Sequence, residues 1–321
     1  MKLKKFYQEI VSKGIEADIR SKKEIEGLLK DKKKQFEGLS KKEKERFDKD
    51  CLFNPFADTR ILFGSPEAEI QTIIVGVDVD AGELVAVDRL NQKGKKIDLA
   101  ISHHPQGHAY AHFYDVMDVQ VDICVKEGLS LGISQNLLEQ RKAQVARRVS
   151  AANHLRAVNI AELLDINFLC MHTPCDNLAY KFLRKKLDSQ KPANLGAIMD
   201  LLFDIPEYDY AAKNNNPPSI VLGSKKSRCK NIHLEFTGGT EGPKEIYKEL
   251  SSKGIDTIIA MHQSEEHFKK CKEANINVIF ASHIASDNIG LNIMLDYLES
   301  KQKLKVYEFS GFKRFKHKNK K

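Results

Sequence analysis

The 321-residue sequence has no tryptophan, no CxxC pair and no apolar run long enough to cross a bilayer. Its longest apolar stretches, "TIIVGV" at 72–77 and "DTIIAM" at 256–261, have the length of core strands. Six cysteines are scattered at 51, 124, 170, 175, 229 and 271, which suits buried thiols better than a disulfide framework or a closed cysteine-zinc site. The stretch "MKLKKFYQEI" has no apolar segment before a small-residue cleavage site, so no secretory signal is visible and the cytoplasm is the expected location. A Walker phosphate loop is also missing. The glycine-rich "FTGGTEGPKE" (236–245) lacks the Gly-Lys-Ser/Thr ending, although Thr240 and Glu241 there are candidate pocket residues.

The formal charge of +8 invites a nucleic-acid reading, so its location matters. Residues 1–50 hold 16 Lys/Arg against 11 Asp/Glu, and residues 301–321 hold 9 against 1. The body between them is mildly acidic, with 27 against 32. A run such as "KRFKHKNKK" (313–321) could touch phosphates non-specifically, but basic ends are more often solvated termini.

Residues 1–50 contain no proline and have helical spacing with mixed charges, which predicts one or two exposed helices. From residue 70, short β-rich runs alternate with helical segments. Strands are predicted within 71–79, 97–102, 166–171, 231–237, 255–261, 276–282 and 304–310, and a long helical stretch over 136–165. Near-continuous apolar strands separated by helices predict an α/β protein with parallel sheets covered on both faces. The run "KNNNPPSI" (213–220) is the strongest linker signal. The expected division is a basic helical extension (1–50), a first α/β part (51–213), a second (220–312) and a basic tail (313–321). No internal repeat stands out.

Four predicted strands deliver a histidine to their carboxyl ends, where ligands of open α/β sheets bind. They lead to His103–His104–Pro105, to His172, to His262 and to His283. His172 and His283 are each followed four residues later by an aspartate, Asp176 and Asp287. Imidazoles mixed with carboxylates suit zinc, iron or manganese. A doublet in an irregular turn could serve two ions, and Asp176 is the candidate bridge between them. His104, His108 and His112 instead share one face if that segment is helical, a weaker alternative that makes His108 a candidate substrate contact and His112 structural. Asp78 and Asp80 are expected to cap a helix or to support the metal ligands. His154 is expected on the long helix.

The motifs "DLAISHHP" (98–105), "MHTPCDNL" (171–178), "IIAMH" (258–262) and "ASHIASDNIGL" (281–291) resemble the Nif-three-like family, also called type 2 GTP cyclohydrolase I homologues. The resemblance spans residues 55 to 300. It implies two related α/β lobes with mixed or parallel sheets, a dinuclear metal cleft between them and a toroidal hexamer. It also implies a metal set of His103, His104, Asp176, His283 and Asp287, with His172 neighbouring it and His262 pointing into the pocket. The segment 54–69 would line the cleft entrance. The late acid is more often Glu in the family, where this chain has Asp287, and the lysine-rich first 50 residues exceed the family's usual short N-terminal helix.

The expected function is a metal-dependent hydrolase with two divalent ions (zinc, iron or manganese), acting on a small phosphorylated or nucleotide-like substrate. His172 and His262 would shuttle protons as its catalytic groups. GTP cyclohydrolase-type activity enters through the resemblance alone, because no motif here reads guanine. The alternative is a non-catalytic, metal-containing scaffold or regulator forming a ring-like oligomer, whose basic ends would recruit nucleic acid or an acidic partner.

Overall fold

The computed structural model describes residues 1–317. Helices α1 (Leu3–Ala17), α2 (Lys22–Gly38) and α3 (Lys41–Arg46) open the chain. Strands β1 (Arg60–Phe63) and β2 (Thr72–Gly76) follow, then α4 (Ala81–Gln92), β3 (Leu99–Ser102) and α5 (Gly107–Ala111). Next come α6 (Val119–Lys126), α7 (Leu131–Ser150), α8 (Arg156–Leu163) and β4 (Phe168–Cys170). Helices α9 (Thr173–Gln190), α10 (Leu195–Phe203) and α11 (Pro206–Lys213) lead to β5 (Ser219–Leu222) and β6 (Ile232–Glu235). The remaining elements are α12 (Ile246–Ser252), β7 (Thr257–Ala260), α13 (Glu265–Glu273), β8 (Asn277–Phe280), α14 (His283–Lys301) and β9 (Lys305–Glu308). No helix among the described residues is long and apolar enough to cross a membrane.

The strands form two sheets, in the orders β1-β4-β3-β2-β9 and β5-β8-β7-β6. Each is parallel except for one antiparallel edge pair, β1–β4 or β5–β8. All seven expected strands are present; the two unforeseen ones, β1 and β5, are four-residue edge strands whose pattern is too short to read. The last strand of the expected second part, β9, pairs with β2 and so belongs to the first sheet.

Alternation along the strands builds the layers. In the first sheet, Ile73, Val75, Leu99, Ile101 and Leu169 face α1, α9 and α14, while Ile74, Ala100 and Phe168 face α4 and α8. In the second, Leu234, Ile259 and Ile279 face α9, α10 and α14, while Ile258, Ala260 and Val278 pack on α12 and α13. Helices α9 and α14 thus lie between the sheets and contribute to both cores. Gly290 of α14 lets them touch: a Cβ there would stand 2.2 Å from the Cys175 carbonyl oxygen of α9.

The sheets share one topology, and the sequence repeats with it. "ILFGS" (61–65) matches "IVLGS" (220–224), and Gly64 and Gly223 lie against Asn167 and Asn277 respectively. Asp98 accepts from the main-chain N–H groups of Gln71 and Thr72; Asp256 does the same for Lys230 and Asn231. The segment His172-Thr-Pro-Cys-Asp176-Asn177 corresponds to His283-Ile-Ala-Ser-Asp287-Asn288. This repeat was missed because few identities survive outside the turns.

The N-terminal segment is not simply exposed. Leu3, Phe6, Tyr7, Ile10, Val11 and Ala17 form a buried stripe on α1 with the 3–4 spacing of an amphipathic helix, masked in composition by surrounding lysines. Only Ile25 of α2 is buried. The predicted 136–165 helix is broken at 151–155, and the half-buried His154 sits in the break, where its carbonyl accepts from Gly107 N–H. Of the expected basic tail, residues 318–321 lie outside the described residues. The described part is docked: Arg314 pairs with Asp296 and Glu299, Lys316 with Glu299, Lys313 with Glu308, and His317 with Glu207. All six cysteines are unpaired, and five are buried.

Candidate metal centre

The two central helices begin directly after β4 and β8, so their first turns meet at the carboxyl edges of both sheets. The loop after β3 reaches the same place, with the main-chain N–H groups of His103 and His104 bonded to the Gly76 and Val77 carbonyls. His103 Nδ1 donates to the Met171 carbonyl at 3.1 Å, which turns Nε2 toward Asp176 Oδ1 (3.3 Å) and Asp287 Oδ1 (3.5 Å). His104 Nδ1 is held by Asp78 at 2.6 Å, leaving Nε2 3.5 Å from Asp287 Oδ2. His283 Nε2 approaches that same oxygen at 3.6 Å. Asp78 therefore supports a site histidine, while Asp80 caps α4.

Two groups of side chains here could hold a metal ion through converging donor atoms, His103–Asp176–Asp287 and His104–His283–Asp287; a third unites His103, His104 and His172. The donor chemistry fits a divalent cation. His103 Nε2, Asp176 Oδ1 and Asp287 Oδ2 are buried and have no hydrogen-bond partner, an arrangement that costs stability unless something charged joins them. Asp287 belongs to both carboxylate-containing groups, with one oxygen toward each. Asp287 is thus the carboxylate common to both groups, while the oxygens of Asp176, the expected bridge, face His103 and His172.

Without a cation, protons balance these carboxylates. Burial would lower the His103 pKa, but the Asp287 charge outweighs it and holds the imidazole well above its usual value. At His104, burial is likewise overcome by Asp287 and Asp78, and the pKa is pushed up to about 9. Burial opposes ionisation of Asp287, yet the His103 and His283 charges keep its carboxyl well below the usual range. Burial lowers the pKa of His283.

His172 is buried, and its Nδ1 lies 2.9 Å from Asp58 Oδ2. Asp58, fully buried, also accepts from the Thr173 hydroxyl at 2.6 Å, locking the start of α9. Sequence reading missed Asp58; its one signal is a polar Asp-Thr pair between Phe56 and the apolar "ILF". Asp58→Asn takes from the buried His172 and Thr173 the carboxylate they share, and stability should fall by about 1–3 kcal/mol in urea unfolding. An unchanged unfolding midpoint would mean that Asp58 does not hold the start of α9.

The tempting stripe of His104, His108 and His112 does not form. Helix α5 begins only at Gly107, whose φ of +56° suits glycine, so His104 precedes it. His108 and His112 are exposed, away from the cluster and from the chamber beside it. That chamber, of about 100 Å³, opens from His172, Asp176, His283 and Asp287 and runs along the edge of β6 beneath α6 and α7. His262, Thr240 and Glu241 line it, and the His262 ring centroid lies 4.6 Å from that of His283. The helix after the glycine-rich loop starts at Ile246.

His233 and Glu235, two residues apart on β6, face the chamber and were also missed. His233 Nδ1 is 2.6 Å from Glu127 Oε2. Burial lowers its pKa, but the Glu127 charge and hydrogen bond raise it above 6.5 overall. A raised pKa means stabilisation fully present below about pH 6.5 and lost as pH climbs through the folded value. Urea unfolding at pH 6 and pH 9 should therefore show the advantage of the native chain over His233→Gln shrinking at the higher pH; growth of that advantage would mean His233 is not charged at pH 6.

An α/β molecule with a His/Asp centre between two like sheets is the class defined so far. Neither a protein-family model nor a curated protein sequence matches the chain. Among solved structures, it is similar to a NIF3 superfamily protein from Sphaerobacter thermophilus, at 24% identity and a TM-score of 0.70, covering 80% of this chain and 92% of that one. Looser likenesses are to the protein ybgI, described as of unknown function (15%, TM-score 0.45, 79% and 90% covered), and to reduced HcgD from Methanocaldococcus jannaschii (12%, 0.43, 77% and 87%). The chain has the NIF3 fold.

Proposed function

We propose that this chain is a Nif-three-like protein working as a metal-dependent hydrolase on a small phosphorylated or nucleotide-like substrate, with His103, His104, Asp176, His283 and Asp287 holding two divalent ions (zinc, iron or manganese). The observation that carries the reading is the convergence of buried, unpartnered His and Asp atoms from the ends of β3, β4 and β8 beside a chamber. Such ions supply Lewis-acid chemistry, polarising a substrate and acidifying water. The chain's part is to orient and to move protons. Asp78 and the Met171 carbonyl fix the rings of His104 and His103, so little reorganisation is needed when the centre is filled. Asp58 holds His172 on the buried side of the chamber, leaving its Nε2 available to accept a proton. His262, half-exposed at the other wall beside Glu241, would pass protons to solvent.

Elemental analysis of anaerobically purified protein, followed by a phosphoester and nucleotide screen with the best metal, tests the reading. A metal-dependent turnover lost in His103→Ala supports it. Absence of divalent metal binding, together with activities indifferent to His103→Ala, defeats it. The hexamer implied by the resemblance belongs to the same proposal and is measured by light scattering. Among the described tail residues, Lys313, Arg314 and Lys316 are ion-paired with Glu308, Asp296 and Glu299, which lends the scaffold alternative no support there.

A further inference from the structure

The expected phosphorylated substrate meets a difficulty in the chamber beside the centre. No lysine or arginine is among the described residues that line it. Its polar wall carries the carboxylates of Glu235 and Glu241 beside the imidazoles of His172, His233, His262 and His283, and His233 already has a carboxylate partner in Glu127. Glu235 accepts the Gln263 amide through Oε2, and its Oε1 lies 4.0 Å from His233 Nε2. Glu241 accepts the Ser264 main-chain N–H through Oε1; Oε2 lies 3.6 Å from His267 Nδ1, itself engaged by the Ser264 hydroxyl. Gln120 spends its amide N–H groups on the Gly238 and Thr240 carbonyls, which leaves Oε1 buried and without a partner. Nearby cations are occupied elsewhere: Arg141 binds the Glu241 carbonyl, and Arg184 binds the Ile232 carbonyl and Asp188.

We propose that this chamber receives an uncharged or cationic, N–H-donating part of the substrate, of the amidine, guanidine or aminoheterocycle type, and excludes a phosphate group. The proposal rests on the hydrolase reading, since it takes the chamber as the substrate's seat. A phosphate dianion enclosed here would face two carboxylates in a poorly screened space, with no guanidinium or ammonium to neutralise it and the His233 imidazole already matched by Glu127. A planar donor group meets the opposite situation. Its N–H groups meet the carboxylates of Glu235 and Glu241, and its faces lie on Leu138, Phe236 and Met261. An anionic part of the same substrate then has one place left, the metal centre itself, so the site divides a bifunctional molecule by charge.

Calorimetric titration of the full, metal-stripped chain with benzamidine, benzyl alcohol and phenyl phosphate tests this. Benzamidine should bind at least about tenfold more tightly than benzyl alcohol, and phenyl phosphate should not bind. Glu235→Gln should weaken benzamidine roughly ten- to hundredfold. Thr240→Lys, at a half-exposed loop position on the chamber wall, should weaken it similarly and create phenyl phosphate binding. Thermal melts of both variants establish that they fold. Phenyl phosphate binding the unaltered metal-free chain as tightly as benzamidine does, or benzamidine affinity unmoved in both folded variants, would overturn the proposal. Manganese titration of the same samples keeps the two readings apart. Lost metal binding with benzamidine intact removes the hydrolase reading and leaves the chamber's preference; the reverse removes the chamber proposal alone.

Discussion

Asp287→Ala is expected to empty both metal positions, whereas Asp176→Ala or His283→Ala empties one. The asymmetry follows from where the oxygens point. Asp287 offers Oδ1 to the His103 side and Oδ2 to the His104–His283 side, while Asp176 and His283 each belong to a single carboxylate-containing group. Loss of an outer-shell partner already costs roughly 10- to 100-fold in metal affinity, and loss of a shared charged ligand should exceed that at both positions. Elemental analysis of dialysed protein reads the difference directly as ions per chain. Equal losses for Asp287→Ala and Asp176→Ala would mean that the carboxylate is not shared.

Gly290→Ala should be strongly damaging for a change of one methyl group. Its Cβ would come 2.2 Å from the Cys175 carbonyl oxygen and 2.6 Å from the carbonyl carbon, both main-chain atoms that cannot swing aside. Helices α9 and α14 would have to separate, at a cost near the upper end of overpacking, about 3 kcal/mol. Asp176 and Asp287 sit on those same helices, so spreading them also loosens the centre. Denaturant unfolding and metal titration should worsen together. A variant as stable as the native chain would show that the helices tolerate a wider spacing.

Much of the site is legible in sequence because its ligands sit at predictable points, the carboxyl ends of apolar strands. Four strand-end histidines and two His-x-x-x-Asp pairs are enough to assemble the cluster. What hides from sequence is whatever depends on distant partners. Asp58 acts through His172 and Thr173, more than a hundred residues away, and only the polar Asp-Thr pair marks it locally. The identity of the shared carboxylate depends on how two helices cross. The buried stripe of α1 has ordinary 3–4 spacing, but lysines on its other faces dominate the composition. The duplicated architecture is written in short turns, "ILFGS" and "IVLGS", whose weight becomes plain only when the glycines meet equivalent asparagines.

Whether one carboxylate, Asp287, serves two ions is read most directly by anomalous diffraction from crystals soaked in manganese. Two peaks should flank the Asp287 carboxylate, one with His103 and Asp176, the other with His104 and His283. A single peak, or a peak at His108 or His112, would contradict that sharing.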